Sequence, residues 1–110
     1  MRDVPDSVDA LTLDQPDRDT LALVGALTFT TAARAFGEGG RALTAGRQTR
    51  LDLGGLVRAD SAGLACVLAL AAFANRAGRR LRVVHWPEGL RSLAAVCDVV
   101  DLLDTPVATG

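Results

Sequence analysis

The sequence predicts a single α/β domain in which a mixed or parallel β-sheet packs against α-helices. The chain has 110 residues with 49% hydrophobic side chains, which is enough for one buried core and too little for two domains. Segments with strand-like alternation are interleaved with segments rich in helix formers. Their predicted order is strand, strand, helix, strand, helix, strand, helix, an order typical of crossover units between parallel strands.

The individual elements follow from apolar periodicity and from the positions of Gly and Pro. In chain order we predict strands at 10–13 and 20–27, a helix at 32–43, a strand at 48–53, a helix at 62–76, a strand at 81–86, a helix from Pro87 to about Cys97, and a short helix or strand at 99–103. Thr28 to Thr31 offers N-cap hydroxyls to the first helix, and Gly46 is expected to end it. A turn is expected over 15–19, and Gly54-Gly55 is expected to interrupt the third strand.

The ends of the chain lie outside the predicted domain, which spans residues 10–104. Residues 1–9 are polar and acidic and are expected to be flexible, and residues 105–110 form a tail. The first nine residues contain no apolar run, so no signal peptide is predicted. The longest nearly apolar stretch, 62–74, is too short to span a bilayer, and we expect a cytoplasmic protein.

Composition excludes several function classes. The 12 basic residues are all Arg and face 13 acidic ones, so the net charge of −1 disfavours a general nucleic-acid-binding protein. Without Lys, the chain has no P-loop lysine and no Schiff-base lysine. Two cysteines and one histidine do not suffice for a disulfide framework, a four-cysteine zinc site or a His-rich metal site. We therefore expect neither a metal nor a cofactor.

The most informative segment is the corner at residues 58–65, where the third strand leads into the second helix. The helix opens with Asp60, Ser61 and an early Gly63. The carboxylate or the hydroxyl can cap the unsatisfied N–H groups of the helix, and Gly63 leaves the backbone approachable by another surface. Two interpretations stay open: a helix cap alone, or a docking corner with Ser61 exposed on its rim.

The helix after this corner has no charged residue from Ser61 to Asn75, so it lacks the polar face of a one-sided surface helix. The positions with core spacing are Leu64, Val67, Leu68 and Ala71. The apolar residues of the remaining side are Ala62, Ala65, Ala69, Ala72 and Phe73. We expect that side to contact another helix, another protein or the C-terminal segment of the same chain.

The residues of the corner resemble a known family. The motif consists of Asp52-Leu53 followed by Asp60-Ser61-x-Gly63-Leu64. It resembles the STAS domain, the fold of sulfate transporters and anti-sigma-factor antagonists, and the resemblance extends from about Thr20 to Leu103. The chain is most similar to the small stand-alone subunit of Mla-type phospholipid-transport ABC complexes, which often has Thr at the position of Ser61.

This resemblance implies a non-enzymatic cytoplasmic subunit that binds the ATPase of the transport complex and reaches the inner face of the plasma membrane only through that complex. The residues that it assigns to the contact are Arg58, Asp60, Ser61, Ala62, Gly63, Leu64 and Ala65. The corner and the following helix would form the interface.

The alternative that the resemblance offers is an anti-sigma-factor antagonist, in which a partner kinase phosphorylates the serine after the aspartate. Ser61 is the corresponding possible phosphosite. A phosphate there would be tolerated by the helix N-terminus and would expel a partner by its charge. Against this alternative, Gly25 is followed by Ala26, where that branch of the family usually has an acidic residue.

Three further features have two interpretations each. The arginines around Gly78 at positions 76, 79, 80 and 82 mark either an anionic partner or a solvated turn. His85 is either a partner for Ser61 in a hydrolase or, as we expect, a strand-end residue. Cys66 lies between apolar residues and is expected to be buried and unreactive.

Overall fold

A computed structural model of the chain describes residues 10–96. Its elements are β1 (Leu11–Asp17), β2 (Thr20–Leu27), α1 (Ala32–Ala45), β3 (Arg50–Ala59), α2 (Ser61–Arg76), β4 (Arg82–Val84) and α3 (Glu88–Val96). The predicted order of strands and helices is confirmed. The predictions for residues 1–9, Cys97, residues 99–103 and the tail 105–110 fall outside the described residues.

The four strands form one mixed sheet in the order β1-β2-β3-β4. β1 is antiparallel to β2, whereas β2, β3 and β4 are parallel. Both crossovers, through α1 and through α2, step in the same direction along the sheet, and right-handed crossovers then put both helices over the same face. α2 packs between α1 and α3 on that face.

The core lies between this face of the sheet and the helices. Because side chains alternate along a strand, Leu21 and Leu23 of β2 are fully buried, while Val24 points the other way and is 39% exposed. The fully buried side chains that meet them are Leu51 and Leu53 of β3, Leu43 of α1, and Val67 and Leu70 of α2. The opposite face of the sheet is more exposed.

Two strands are longer than predicted. β1 continues through Pro16 to Asp17, which an edge strand tolerates because one side of its backbone needs no ladder partner; its register is irregular between Asp14 and Asp17. β3 runs through Gly54-Gly55 to Ala59 with register shifts against β2, so the expected interruption there is wrong. β4 is shorter than predicted because His85 adopts a φ of 59° and leaves the strand.

The helices begin and end close to the predicted positions, but not every predicted N-cap hydrogen bond forms. Thr31 is the N-cap of α1, yet its hydroxyl does not cap the helix. It donates to the carbonyl of Ala26 at 2.8 Å and accepts from the N–H of Thr28 at 3.0 Å, which ties the loop back to β2. α1 continues to Ala45 and ends at Gly46 as expected. Within residues 10–96, no helix is both long enough and apolar enough to cross a bilayer.

Candidate functional site

The corner lies where two neighbouring parallel strands end together. Leu27 at the end of β2 pairs in register with Ala59 at the end of β3. The loop after β2 and the start of α2 therefore meet at the same edge of the sheet. The backbone N–H of Asp60 donates to the carbonyl of Leu27 at 3.4 Å, which joins the two chain segments directly.

Asp60 fastens this junction with both oxygens of its carboxylate. As the N-cap of α2, it accepts a hydrogen bond at Oδ1 from the N–H of Gly63 at 3.0 Å. Its Oδ2 accepts a second one from the N–H of Phe29 in the loop after β2, at 3.1 Å. The expected helix cap is confirmed, and the same side chain also holds the neighbouring loop in place.

These bonds determine the charge of Asp60. Burial alone would raise the pKa of its carboxyl, but the backbone N–H groups of Phe29 and Gly63 outweigh this and hold the pKa below its usual range. The carboxylate is therefore ionised at neutral pH and is held by backbone donors. This arrangement suits a structural anion and does not suit a general acid.

Gly63 is required by the chain's own packing. A Cβ at this position would lie 2.2 Å from the carbonyl oxygen of Leu27, closer than atoms approach in proteins. The expectation that Gly63 leaves its backbone open to another surface is wrong, because β2 already occupies that place. Leu64 is also in the core, with 4% of its surface exposed, so neither residue is accessible to a partner.

The other predicted contact residues lie at the surface. Arg58, Ser61 and Ala65 are exposed, Ala62 is half-buried, and Asp60 is exposed beside them. Ser61 is the first residue of α2, and Asp60 has taken the capping position. Among the described residues, its hydroxyl has no hydrogen-bond partner, so it is available to a partner or to modification.

Phe29 is the residue of this site that sequence analysis missed. Its ring is 83% exposed although its N–H is fixed by Asp60. It borders a recess of about 200 Å³ that is lined by Thr28, Phe29, Thr30, Arg58, Ala59 and Asp60. The hydroxyl of Thr28 in that lining is buried without a hydrogen-bond partner. The sequence signal for this residue is an aromatic side chain in a run of threonines, Thr28-Phe29-Thr30-Thr31, directly after a predicted strand.

α2 has one covered side and one open side. Of the residues with predicted core spacing, Leu64 and Val67 are buried, whereas Leu68 and Ala71 are partly buried. On the other side Phe73 packs edge-on against Phe36 of α1, with ring centroids 6.3 Å apart. The open positions are Ala65 and Ala72, so an uncharged strip of α2 continues from the corner along the surface.

His85 and Cys66 are the remaining candidate groups. Nδ1 of His85 lies 3.0 Å from Oδ1 of Asp52, so this ring nitrogen is engaged on the neighbouring strand. Cys66 is buried as expected, and burial raises the pKa of its thiol to about 11, which keeps it protonated. Within residues 10–96, no cluster of three His, Cys, Asp or Glu residues is placed to hold a metal ion.

Comparison with known protein families agrees with this geometry. The sequence profile described as "Mlab, STAS domain" matches residues 11–104. The chain belongs to the STAS domain family. No curated protein matches its sequence.

Solved structures share the STAS fold with this chain. One is the anti-sigma factor antagonist SpoIIAA in its unphosphorylated form, with a TM-score of 0.65, 18% identity and 82% of each chain covered. Another is the Bacillus cell fate determinant SpoIIAA in the phosphorylated form, with a TM-score of 0.61, 18% identity, and 80% of this chain and 83% of that chain covered. STAS domains of this fold are typically regulatory and non-catalytic.

Proposed function

We propose that this STAS domain is a non-catalytic cytoplasmic subunit that binds the ATPase of an ABC-type phospholipid transport system. The contact is made by the exposed part of the corner, namely Arg58, Ser61 and Ala65, together with Phe29. Asp60 positions these groups, and Gly63 and Leu64 support them from inside. The description of the matching family profile supports this choice of partner.

The observation on which the proposal rests is an exposed apolar and hydroxyl surface on a rigid support. Phe29 and Ser61 come from two loops that Asp60 joins through fixed hydrogen bonds. Phe29 is one of the most exposed large apolar side chains among residues 10–96, and rigid aromatic residues are frequent anchors in protein interfaces. Because the support is already ordered, little conformational entropy is lost on binding.

A second candidate is an anti-sigma-factor antagonist that is controlled by phosphorylation of Ser61. Its support is the similarity in fold to SpoIIAA, which has been solved in unphosphorylated and phosphorylated forms. A phosphate on Ser61 would be repelled by the ionised Asp60 but tolerated by the N–H groups of the helix N-terminus, so its main effect would be to repel a bound partner. In this case the partner is a serine kinase, and the same corner is its docking surface.

Affinity purification of the tagged protein from its native host, followed by mass spectrometry, tests the proposal. We expect an ABC ATPase among the partners and an unmodified Ser61 peptide. Recovery of a serine kinase together with a phosphorylated Ser61 peptide would contradict the first candidate and support the second.

The contact itself is tested with Ser61→Arg, and Ser92→Arg on the exposed surface of α3 is the matched control. We expect Ser61→Arg to weaken capture of the purified ATPase by at least about tenfold, because a bulky charge then occupies the centre of the interface. Both variants should melt at the temperature of the unaltered protein. Normal capture by a folded Ser61→Arg protein would contradict the docking role of the corner.

A further inference from the structure

The end of the domain opposite the corner has a concentration of positive charge. The β1–β2 turn, the α1–β3 connection and the α2–β4 connection all lie at this end, because the parallel strands begin here. The exposed arginines that they bring together are Arg18, Arg47, Arg50, Arg76, Arg80 and Arg82, which we call the basic end. They come from segments up to 64 positions apart in the sequence.

Hydrogen bonds fix these connections to one another. The N–H groups of Thr49 and Arg50 donate to the carbonyl of Asp19, and the N–H of Arg82 donates to the carbonyl of Thr49 at 2.8 Å. The guanidinium of Arg79 donates to the carbonyls of Leu43 and Gln48 and thereby joins the end of α1 to the α2–β4 connection. The basic end is therefore a built surface and not a set of independent loops.

β1 and the β1–β2 turn bring three exposed aspartates, Asp14, Asp17 and Asp19, toward the basic end, where six arginines outnumber them. Residues 10–96 contain 11 arginines and 7 acidic residues, and the other six acids are at positions 3, 6, 9, 98, 101 and 104. The ion pairs formed among the described residues, Arg34 with Glu38 and His85 with Asp52, lie elsewhere. The overall charge of −1 thus conceals a domain whose described part has a net charge of +4.

Two of the arginines are placed where their charges oppose each other. Arg50 and Arg82 are register partners on the parallel strands β3 and β4. Like charges on directly paired positions destabilise a sheet. Arg50 donates a hydrogen bond to the hydroxyl of Thr20 at 3.2 Å, which satisfies one of its donors but neutralises no charge. An anion bound at this end would remove that repulsion.

An apolar groove opens next to the basic end. It has a volume of about 550 Å³, lies between α1 and α2, and extends along α1 to Thr44 and Ala45. Phe36 and Phe73 form its apolar wall, and the exposed Arg41 lies on its rim. Cationic side chains beside an accessible apolar surface are the combination that holds peripheral proteins on anionic membranes.

We propose that the basic end binds the surface of a bilayer that contains anionic phospholipids, with the lipid phosphates on the arginines and the adjoining groove against the acyl boundary. The accessible apolar groove beside the arginines favours a lipid surface over nucleic acid, because a nucleic acid offers no acyl layer to cover it. The proposal is independent of the partner at the corner.

Cosedimentation of the full chain with vesicles tests it. We expect binding to vesicles of phosphatidylcholine with phosphatidylglycerol, weaker binding as salt is raised, and no binding to phosphatidylcholine alone. The double variant Arg47→Ser/Arg80→Ser should weaken binding about 25-fold, since each arginine near an anionic surface contributes about fivefold. The control Gly89→Glu/Ser92→Glu makes the same change in net charge on exposed positions of α3 and should retain vesicle binding.

Equal vesicle binding by the unaltered chain and a folded Arg47→Ser/Arg80→Ser protein would overturn the proposal. So would equal loss in both double variants, because net charge and not the basic end would then be responsible. Binding to duplex DNA or RNA without binding to anionic vesicles would also overturn it. Capture of the corner's partner by Arg47→Ser/Arg80→Ser is expected to be normal, which separates this test from that of the proposed function.

Discussion

At the scale of single residues, Asp60 is decisive because one carboxylate organises two loops. Its two oxygens bind the N–H groups of Phe29 and Gly63, so the exposed ring of Phe29 and the start of α2 keep a fixed relation. Ser61, directly after it, is left with an exposed hydroxyl. The capping residue is thus the structural part of the site, and its neighbour is the part that a partner meets.

Replacing Asp60 with Asn should destabilise the domain by about 1 kcal/mol at neutral pH, because the amide keeps one acceptor and loses the charge and the second acceptor. The pKa of Asp60 is lowered in the folded protein by the N–H groups that it accepts from, so the charged form contributes stability above the ordinary carboxyl pKa of about 4. That contribution is lost as the pH falls through the lowered value. Urea unfolding at neutral pH and at about pH 3 measures the difference in unfolding free energy between the unaltered and the Asp60→Asn protein. This difference should be smaller at pH 3, and a difference that stays constant would contradict the role of the charged carboxylate.

The sequence was sufficient to locate Asp60 and Ser61, because the motif and the helix start coincide. It was not sufficient to show that Gly63 faces the carbonyl of Leu27, since that contact joins positions 36 residues apart. The same holds for Phe29, whose importance depends on its hydrogen bond to a residue 31 positions away. Helix caps can be predicted from local sequence patterns, whereas contacts between distant loops can be predicted only when the register of the sheet is known.

At the scale of elements, the seating of α2 against β2 determines the shape of the corner. The helix begins so close to the strand that position 63 has no room for a Cβ beside the carbonyl of Leu27. The buried side chains of Val67 and Leu70 then continue this contact into the core. The first turn of α2 is therefore fixed from both sides, by Asp60 at its end and by β2 beneath it.

The substitution Gly63→Ala tests this seating, and Gly37→Ala in α1 is its control. The first should destabilise the domain by about 1–3 kcal/mol, because the added methyl overlaps backbone that has no space to move. At Gly37 no atom lies within 4 Å of an added Cβ, so alanine should stabilise α1 by up to about 1 kcal/mol. Thermal or urea unfolding measures the stability of both variants. A Gly63→Ala protein as stable as the unaltered one would contradict the close contact between position 63 and the carbonyl of Leu27.

Element boundaries were predicted well where one signal dominated and less well where two competed. β2 was predicted over the residues that it occupies, because alternation and the flanking turn agree. In β3 the pair Gly54-Gly55 favours an interruption, but pairing with β2 on one side continues the strand to Ala59. Glycine is favoured at position 55, because a Cβ there would lie only 3.0 Å from the side chain of Val24.

At the scale of the whole molecule, the parallel arrangement of β2, β3 and β4 separates two surfaces. All three strands begin at the basic end, and β2 and β3 end at the corner. A protein that binds one partner at each end can join a protein complex to an anionic surface without conflict between the two contacts. The net charge of the sequence gave no indication of this separation, because it sums over residues that the fold places apart.

The most direct test of the account is to map which surface the corner's partner covers. Backbone amide signals of the isotope-labelled domain are followed by NMR as the purified ATPase is added. We predict that signals of Phe29, Ser61 and Ala65 shift or broaden first, while those of Arg47 and Arg80 at the basic end stay unchanged. Changes confined to the basic end, with the signals of Phe29 and Ser61 unaltered, would contradict the central claim that the partner docks on the corner.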